Sequence, residues 1–251
     1  MNHKYKFKVE SVGINPHYES GDFYIVNYLL ATMANTYTSY RLAAFHLQEE
    51  DKSWIVSNIF VEYFAKPLQW TNEIEVSVGF RNTKGLRVLC DLEMTRKGEK
   101  IAQATMQWTV IDEIKRRPVA YPAVEEKIAL SENLPYDGFN FPKMLPIEAL
   151  IAAEQKVTYS TIDFNHHLNA YQYFRFAYDA MPAEFIDNHY PVKFQAKFER
   201  EIMLGETAKM AHNIDDLHSE HIIIKSNDEG ESASFRLSVD WAKRGDEKIA
   251  L

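Results

Sequence analysis

The strongest constraint on this chain is that its second half repeats its first. Laying Phe60–Val76 over Phe194–Met210 without gaps pairs Phe60 with Phe194, Phe64 with Phe198, Lys66 with Arg200 and Leu68 with Ile202. A supersecondary unit used twice in one chain is expected to pack its copies face to face, like a dimer fused by its linker. In the first copy, Tyr5 to Val12 alternates and reads as a strand. Tyr24 to about Phe45 reads as a long helix whose stripe is Ile25, Tyr28, Leu29, Thr32 and Met33. Trp54–Ala65, Glu73–Phe80, Leu86–Thr95 and Ile101–Ile111 then read as strands, with short turns at Asn82–Gly85 and Arg96–Glu99.

The second copy follows the same order. Ala153–Tyr159 reads as a strand and Leu168 to about Met181 as a helix with Leu168, Tyr171, Phe174, Tyr178 and Met181 on its stripe. Val192–Arg200, Glu206–Ile214, Glu220–Lys225 and Ser232–Lys243 complete the set. One helix beside an antiparallel meander, twice over, predicts an α+β protein and not a doubly wound one. Between the copies, residues 114–150 hold five of the nine prolines and little periodicity. The expected division is therefore 1–113, a linker 114–150, and 151–251. Part of the linker should pack on a surface to cover Phe139, Phe141 and Leu145.

Apolar residues make up 46% of the chain, with 15 Phe and 14 Tyr, enough for a packed core. A net charge of −8 argues against general binding to nucleic acid or anionic membrane. The single cysteine, Cys90, excludes an internal disulfide framework and fits a reducing compartment. The opening residues carry no apolar signal region, and no run approaches the ~18 apolar residues of a membrane helix. A cytoplasmic protein is expected.

The chemistry concentrates in Thr161-Ile162-Asp163-Phe164-Asn165-His166-His167-Leu168-Asn169-Ala170. A carboxylate, an amide and two imidazoles fall within five positions, just ahead of an apolar helical pattern. A helix N-terminus carries unpaired N–H groups and partial positive charge, so it suits a developing oxyanion. Asp163 or Asn165 alone would read as an ordinary helix cap, but a cap uses only one such side chain. Metal binding is not expected, because His166 and His167 are adjacent and no further ligand stands at helical spacing. The residues before the first helix, Glu19-Ser20-Gly21-Asp22-Phe23, show no Asn-x-His, and Pro67 stands where the second copy has Glu201. One copy is thus expected to hold a reactive centre while the other supplies wall and stability.

Four segments together carry a likeness. They are Val12-Gly13-Ile14-Asn15; Gln107-Trp108-Thr109-Val110-Ile111-Asp112 ahead of Lys115-Arg116-Arg117-Pro118; Asp163-Phe164-Asn165-His166-His167-Leu168-Asn169; and Phe198-Glu199-Arg200-Glu201. Through them the sequence resembles, over nearly its whole length, the acyl-acyl-carrier-protein (acyl-ACP) thioesterases of plants and bacteria. The resemblance implies two tandem hot-dog folds, each a long helix wrapped by an antiparallel sheet. It also implies hydrolysis of the thioester between a fatty acyl chain and the carrier's phosphopantetheine arm, in fatty acid biosynthesis and without a cofactor. The family's aspartate, asparagine, histidine and glutamate fall on Asp163, Asn165, His167 and Glu201. Plant relatives have a cysteine after that glutamate; here the position is Ile202, which argues against a cysteine nucleophile. Cys90, among Val88, Leu89 and Leu92, reads as a packed small residue.

On this reading Glu201 is the general base on water, and His167 orients the water or protonates the leaving sulfur. Asn165 and the helix N-terminus hold the oxyanion. Asp163 either fixes their geometry or attacks directly. Strict alternation along Val192, Phe194, Ala196 and Phe198 places Glu201 on the polar phase, a point against it. Tyr28, Phe60 and Trp70 are candidate linings for the acyl chain. Lys115, Arg116 and Arg117, or Lys193, Lys197 and Arg200, are candidate docking patches for the acidic carrier. An acyl-coenzyme A thioesterase, a non-catalytic acyl-binding protein and a homodimer are the alternatives left open.

Overall fold

The computed structural model describes residues 3–134 and 136–245. The chain forms two compact units, the first running to Phe141 and the second beginning at Pro142. In the first unit the elements are β1 (His3–Lys8), α1 (Ile25–Ser39), α2 (Ala44–Gln48), β2 (Lys52–Tyr63), β3 (Glu73–Asn82), β4 (Val88–Arg96), β5 (Glu99–Asp112), β6 (Arg117–Val119) and α3 (Pro122–Lys127). The second has β7 (Ile151–Lys156), α4 (Ala170–Asp179), α5 (Ala183–Asn188), β8 (His189–Phe198), β9 (Thr207–Asp215), β10 (His218–Asn227) and β11 (Gly230–Lys243).

Within the first unit the strands pair antiparallel in the order β1-β3-β4-β5-β2, with β6 on β5. Within the second the order is β7-β9-β10-β11-β8, again antiparallel. The two orders are the same once equivalent strands are matched, as the sequence repeat predicts. α1 packs on β1 and β3, and α4 on β9, β10 and β11. Each unit is thus a helix laid against one antiparallel sheet, the expected hot-dog arrangement and an α+β fold. Among the described residues no helix is long and apolar enough to cross a membrane.

The helix cores follow from side-chain type. Ile25, Tyr28, Leu29, Thr32 and Met33 are all buried on α1. On α4 the buried face is Tyr173, Phe174, Phe176 and Ala177, so Tyr171 and Tyr178 lie at the margin of the stripe. Phe174 meets Phe194, Phe198 and Phe235 at ring-centroid distances of 5.6, 6.2 and 5.2 Å, all edge-to-face. Each fully buried ring of this kind contributes about 1.5–3 kcal/mol by leaving water.

Two expectations are corrected. The long first helix stops at Ser39 and a separate short helix follows. Thr36, Thr38 and Ser39 turn their hydroxyls back onto the carbonyls of Thr32, Ala34 and Thr36, a competition that weakens helix propagation. Arg41 then takes a left-handed φ of 55°, and Leu42 N–H closes on Tyr37 C=O at 2.8 Å, which ends the helix in the usual way.

Most of the segment read as a linker belongs to the first unit. Val124 and Ile128 are buried. Ser131 exchanges hydrogen bonds with the Phe80 backbone. The Phe139 ring stacks on Phe60 at 3.8 Å between centroids. Beneath it lies Asp91, wholly buried, held by Arg81 at 2.9 Å and by the Thr105 hydroxyl at 2.6 Å. Burial pushes the Asp91 carboxyl above the ordinary carboxylate range despite these partners. The same Thr105 hydroxyl meets the Tyr136 hydroxyl and accepts from Phe139 N–H, while Arg81 donates to Phe139 C=O. A proline-rich segment without helical period is thereby fixed by polar anchors, which periodicity does not reveal.

Candidate active site

The sequence cluster forms a closed loop ahead of α4, not the first turn of the helix. Ile162 and Leu168 face each other as a β-bridge, and Asp163 N–H donates to His167 C=O at 3.0 Å. Inside that bracket His166 N–H donates to Asp163 C=O at 3.0 Å. Asp163 Oδ1 accepts from Asn165 N–H at 2.9 Å, an Asx turn. His166 pays for the tight reversal with a left-handed φ of 62°. The helix cap is Asn169, whose side chain accepts from Tyr171 N–H at 2.9 Å. Asn169, not Asp163 or Asn165, is therefore the cap of α4.

A second bracket brings in the loop after β8. His167 bridges Met203, and Leu168 N–H donates to Ile202 C=O at 2.8 Å. This places Glu201 beside the imidazole. Glu201 Oε2 lies 3.7 Å from His167 Nε2, and Asp163 Oδ1 lies 3.9 Å from His167 Nδ1. The imidazole thus has a carboxylate near each ring nitrogen, both just beyond direct hydrogen-bond length. The side chains are 17% exposed for His167, 16% for Asp163 and 28% for Glu201, so the group is sheltered but reachable. Asn165 is half-buried on the same loop, and His166 is exposed.

The polar phase of Glu201, read from alternation, is explained by the end of β8. The strand stops at Phe198, and Glu199 N–H and Arg200 N–H both donate to Ser234 C=O, at 2.8 and 3.3 Å. Two residues against one partner break the pleat, so alternation does not carry on to Glu201. The oxyanion donors also differ from expectation. The Leu168 and Asn169 N–H groups are engaged by the Ile202 and Thr161 carbonyls, and α4 begins only at Ala170.

The first unit contains the same loop with different side chains. Asn15 N–H donates to Glu19 C=O at 2.8 Å, Tyr18 N–H to Asn15 C=O at 3.0 Å, and His17 N–H to Asn15 Oδ1 at 2.9 Å. Tyr18 has a φ of 61°. Ser20 N–H donates to Leu68 C=O at 2.6 Å, and Glu19 bridges Gln69. Asn15, His17, Tyr18 and Glu19 therefore stand where the second unit has Asp163, Asn165, His166 and His167, and Pro67 stands for Glu201. The sequence reading missed this because it sought Asn-x-His nearer the helix. The signal was Ile14-Asn15 against Ile162-Asp163.

The remaining candidates lie as follows. Tyr28 is in the α1 core, against the rings of Phe7 and Tyr24, and burial pushes its hydroxyl up to about 12. Phe60 is buried with one face covered by Phe139, and Trp70 is exposed. Cys90 is fully buried against Met33, and burial raises its thiol well above the ordinary range, so no thiolate is available there. Lys197 and the Arg236 guanidinium both pair with Glu199, at 2.6 and 3.3 Å. Lys115, Arg116 and Arg117 are exposed.

Residues 145–243 match the family model of the acyl-ACP thioesterase C-terminal domain. Among solved structures, an acyl-ACP thioesterase from Bacteroides thetaiotaomicron superposes with a TM-score of 0.83 at 19% identity, covering 96% of this chain and 98% of that one. A 12:0-ACP thioesterase from Umbellularia californica gives 0.84 at 15% identity, covering 97% and 98%. No curated protein sequence matches. The second unit thus matches the acyl-ACP thioesterase C-terminal domain, and the chain shares its fold from end to end with solved acyl-ACP thioesterases.

Proposed function

We propose that the second unit hydrolyses fatty acyl-ACP by a water-attack mechanism run by Glu201 and His167. The observation that carries this is the imidazole set between two carboxylates, 3.7 Å from Glu201 and 3.9 Å from Asp163. Glu201 takes a proton from water as the water oxygen bonds to the thioester carbon. The Asn165 amide, on the same loop, donates to the carbonyl oxygen as it gains charge. Collapse of the intermediate breaks the carbon–sulfur bond, and the proton passes from Glu201 through His167 to the departing thiolate. Asp163, fixed by Asn165 N–H, faces the other imidazole nitrogen at 3.9 Å, an orienting role. The products are a free fatty acid and the carrier thiol, and we assign the reaction to fatty acid biosynthesis. The one cysteine, kept as a buried thiol, accords with a reducing compartment such as the cytoplasm.

The first unit, whose matching loop carries Asn15, Glu19 and Pro67, supplies no second set of these groups. Tyr28, Phe60 and Trp70 are proposed contacts for the acyl chain. Each methylene buried contributes ~0.8 kcal/mol, so two carbons change binding roughly fifteenfold. The test is incubation with a ladder of carrier-bound acyl chains, with the liberated acid read by mass. Glu201→Gln should lower kcat on the order of 100- to 10,000-fold without unfolding the protein. Undiminished turnover by that variant would remove Glu201 as base, and faster turnover of acyl-coenzyme A than of acyl-ACP would move the substrate assignment.

A further inference from the structure

We propose that Tyr173 is a positioning residue that holds the Glu201 carboxylate in place through the backbone on either side of it. Tyr173 lies on α4, 3% exposed, with its ring among Phe198 and Phe235 at 5.5 and 5.3 Å between centroids. Its hydroxyl accepts from Ile202 N–H at 3.1 Å and donates to Arg200 C=O at 3.4 Å. These are the peptide groups immediately after and immediately before Glu201. Ile202 C=O is in turn taken by Leu168 N–H at 2.8 Å, next in chain to His167. One buried hydroxyl and one loop bracket therefore tie the residue carrying the base to the residue carrying the imidazole. Burial raises the Tyr173 hydroxyl far above its ordinary range, so it stays protonated and remains a donor.

The first unit serves as an internal comparison. As many residues after Asn15 as Tyr173 is after Asp163 stands Ile25, equally buried and without a hydroxyl. The residue at the Glu201 place there is Pro67, with no carboxylate to aim. The Ser20–Leu68 bracket survives without either. The loop path therefore does not require a tyrosine, and the hydroxyl appears where a carboxylate must be aimed. A plain packing role predicts a large apolar residue at both places and gives no reason for this difference.

The inference rests on the reading of Glu201 as the base, and the experiment separates the two. Tyr173→Phe keeps the ring and removes only the hydroxyl. Displacing a reacting group by about 1 Å costs on the order of 100-fold in rate, so kcat should fall roughly 10- to 100-fold with KM for acyl-ACP nearly unchanged. The acidic limb of the kcat–pH profile, set by the base, should shift. Combined with Glu201→Gln, the tyrosine change should add little further loss, because both act on one group. Thermal unfolding and a conservative core variant on the same sheet, Ile223→Val, measured below their melting temperatures, show what lost stability alone does. Full kcat in Tyr173→Phe, or an equal loss in wild-type and Glu201→Gln backgrounds with an unmoved pH profile, would overturn the positioning role while leaving Glu201 intact. Undiminished activity in Glu201→Gln would instead remove the base itself.

Discussion

His221 should make the second unit sensitive to acid, and replacing it should remove a measurable part of that sensitivity. The residue is 3% exposed on β10. Its Nε2 lies 2.8 Å from the Ser219 hydroxyl, which in turn accepts from Trp241 Nε1–H at 2.7 Å. The neutral imidazole suits this pairing in either tautomer, since the serine oxygen can donate to Nε2 or accept from it beside the indole. Burial, with added repulsion from His212 and His218, lowers its pKa from 6.5 to about 3. The folded state therefore refuses a proton that the unfolded chain binds below pH 6.5. Above that pH the group is neutral in both states and costs nothing. Stability falls as pH drops from 6.5 toward 3, by about 1.4 kcal/mol per unit.

Between pH 7.5 and 4.5 this single group should remove about 2–3 kcal/mol. For a protein of this size that is roughly a 5–10 °C fall in Tm. His221→Gln keeps a side-chain acceptor and removes the titration. Differential scanning of both proteins at the two pH values gives the answer, because every other titrating group cancels in the comparison. The variant should lose less Tm on acidification by about that amount. Parallel falls in the two proteins would refute the reasoning, and with it the assignment of His221 as neutral in the folded state.

Three further outcomes follow from the geometry. Asn165→Ala should lower kcat on the order of 100- to 1,000-fold, as loss of one oxyanion donor does, with the acyl-ACP KM little changed in steady-state assays. Cys90→Ala should leave kcat unchanged and lower Tm by a few degrees, about what a small buried cavity costs, since the thiol packs on Met33 and touches no reacting group. Arg117→Glu should raise KM several-fold for carrier-bound substrate and not for a free pantetheine thioester. Arg117 is the position to change because within that patch Lys115 already pairs with Asp112 at 3.4 Å, as Lys197 of the other patch does with Glu199; an unchanged KM would remove the patch.

The succession of strands and the doubled plan were legible in the sequence because they rest on alternation and on a gapless repeat; the sheet order was not, since β2 pairs with β5 and not with β3 as a simple meander would have it. The stripe of α1 was legible for the same reason: Ile25, Leu29 and Met33 have nowhere polar to go. The anchoring of residues 131–140 was not, because Arg81, Asp91 and Thr105 look like three ordinary strand residues until β3, β4 and β5 lie side by side. At the candidate site, Asp163, Asn165 and His167 stand close in sequence and could be found there. The position of Glu201 depends on the break after Phe198 and on the Leu168–Ile202 bond, both set by long-range pairing. The matching loop of the first unit was hidden because its side chains differ while its hydrogen bonds do not.

Those matching loops have a consequence for how such a protein can change over time. Tyr18 and His166 turn the chain at nearly the same φ, 61° and 62°, and the surrounding amides make the same connections. The mount is built of main chain and of one short oxygen-bearing side chain, Asn15 or Asp163, whichever residues occupy the other places. On the proposed assignment of the chemistry to the second unit, a copy without the reactive groups carries almost no folding penalty, because the mount does not depend on them. By the same logic the mount of the first unit is a ready socket, in which a designer could install new chemistry without redrawing the fold.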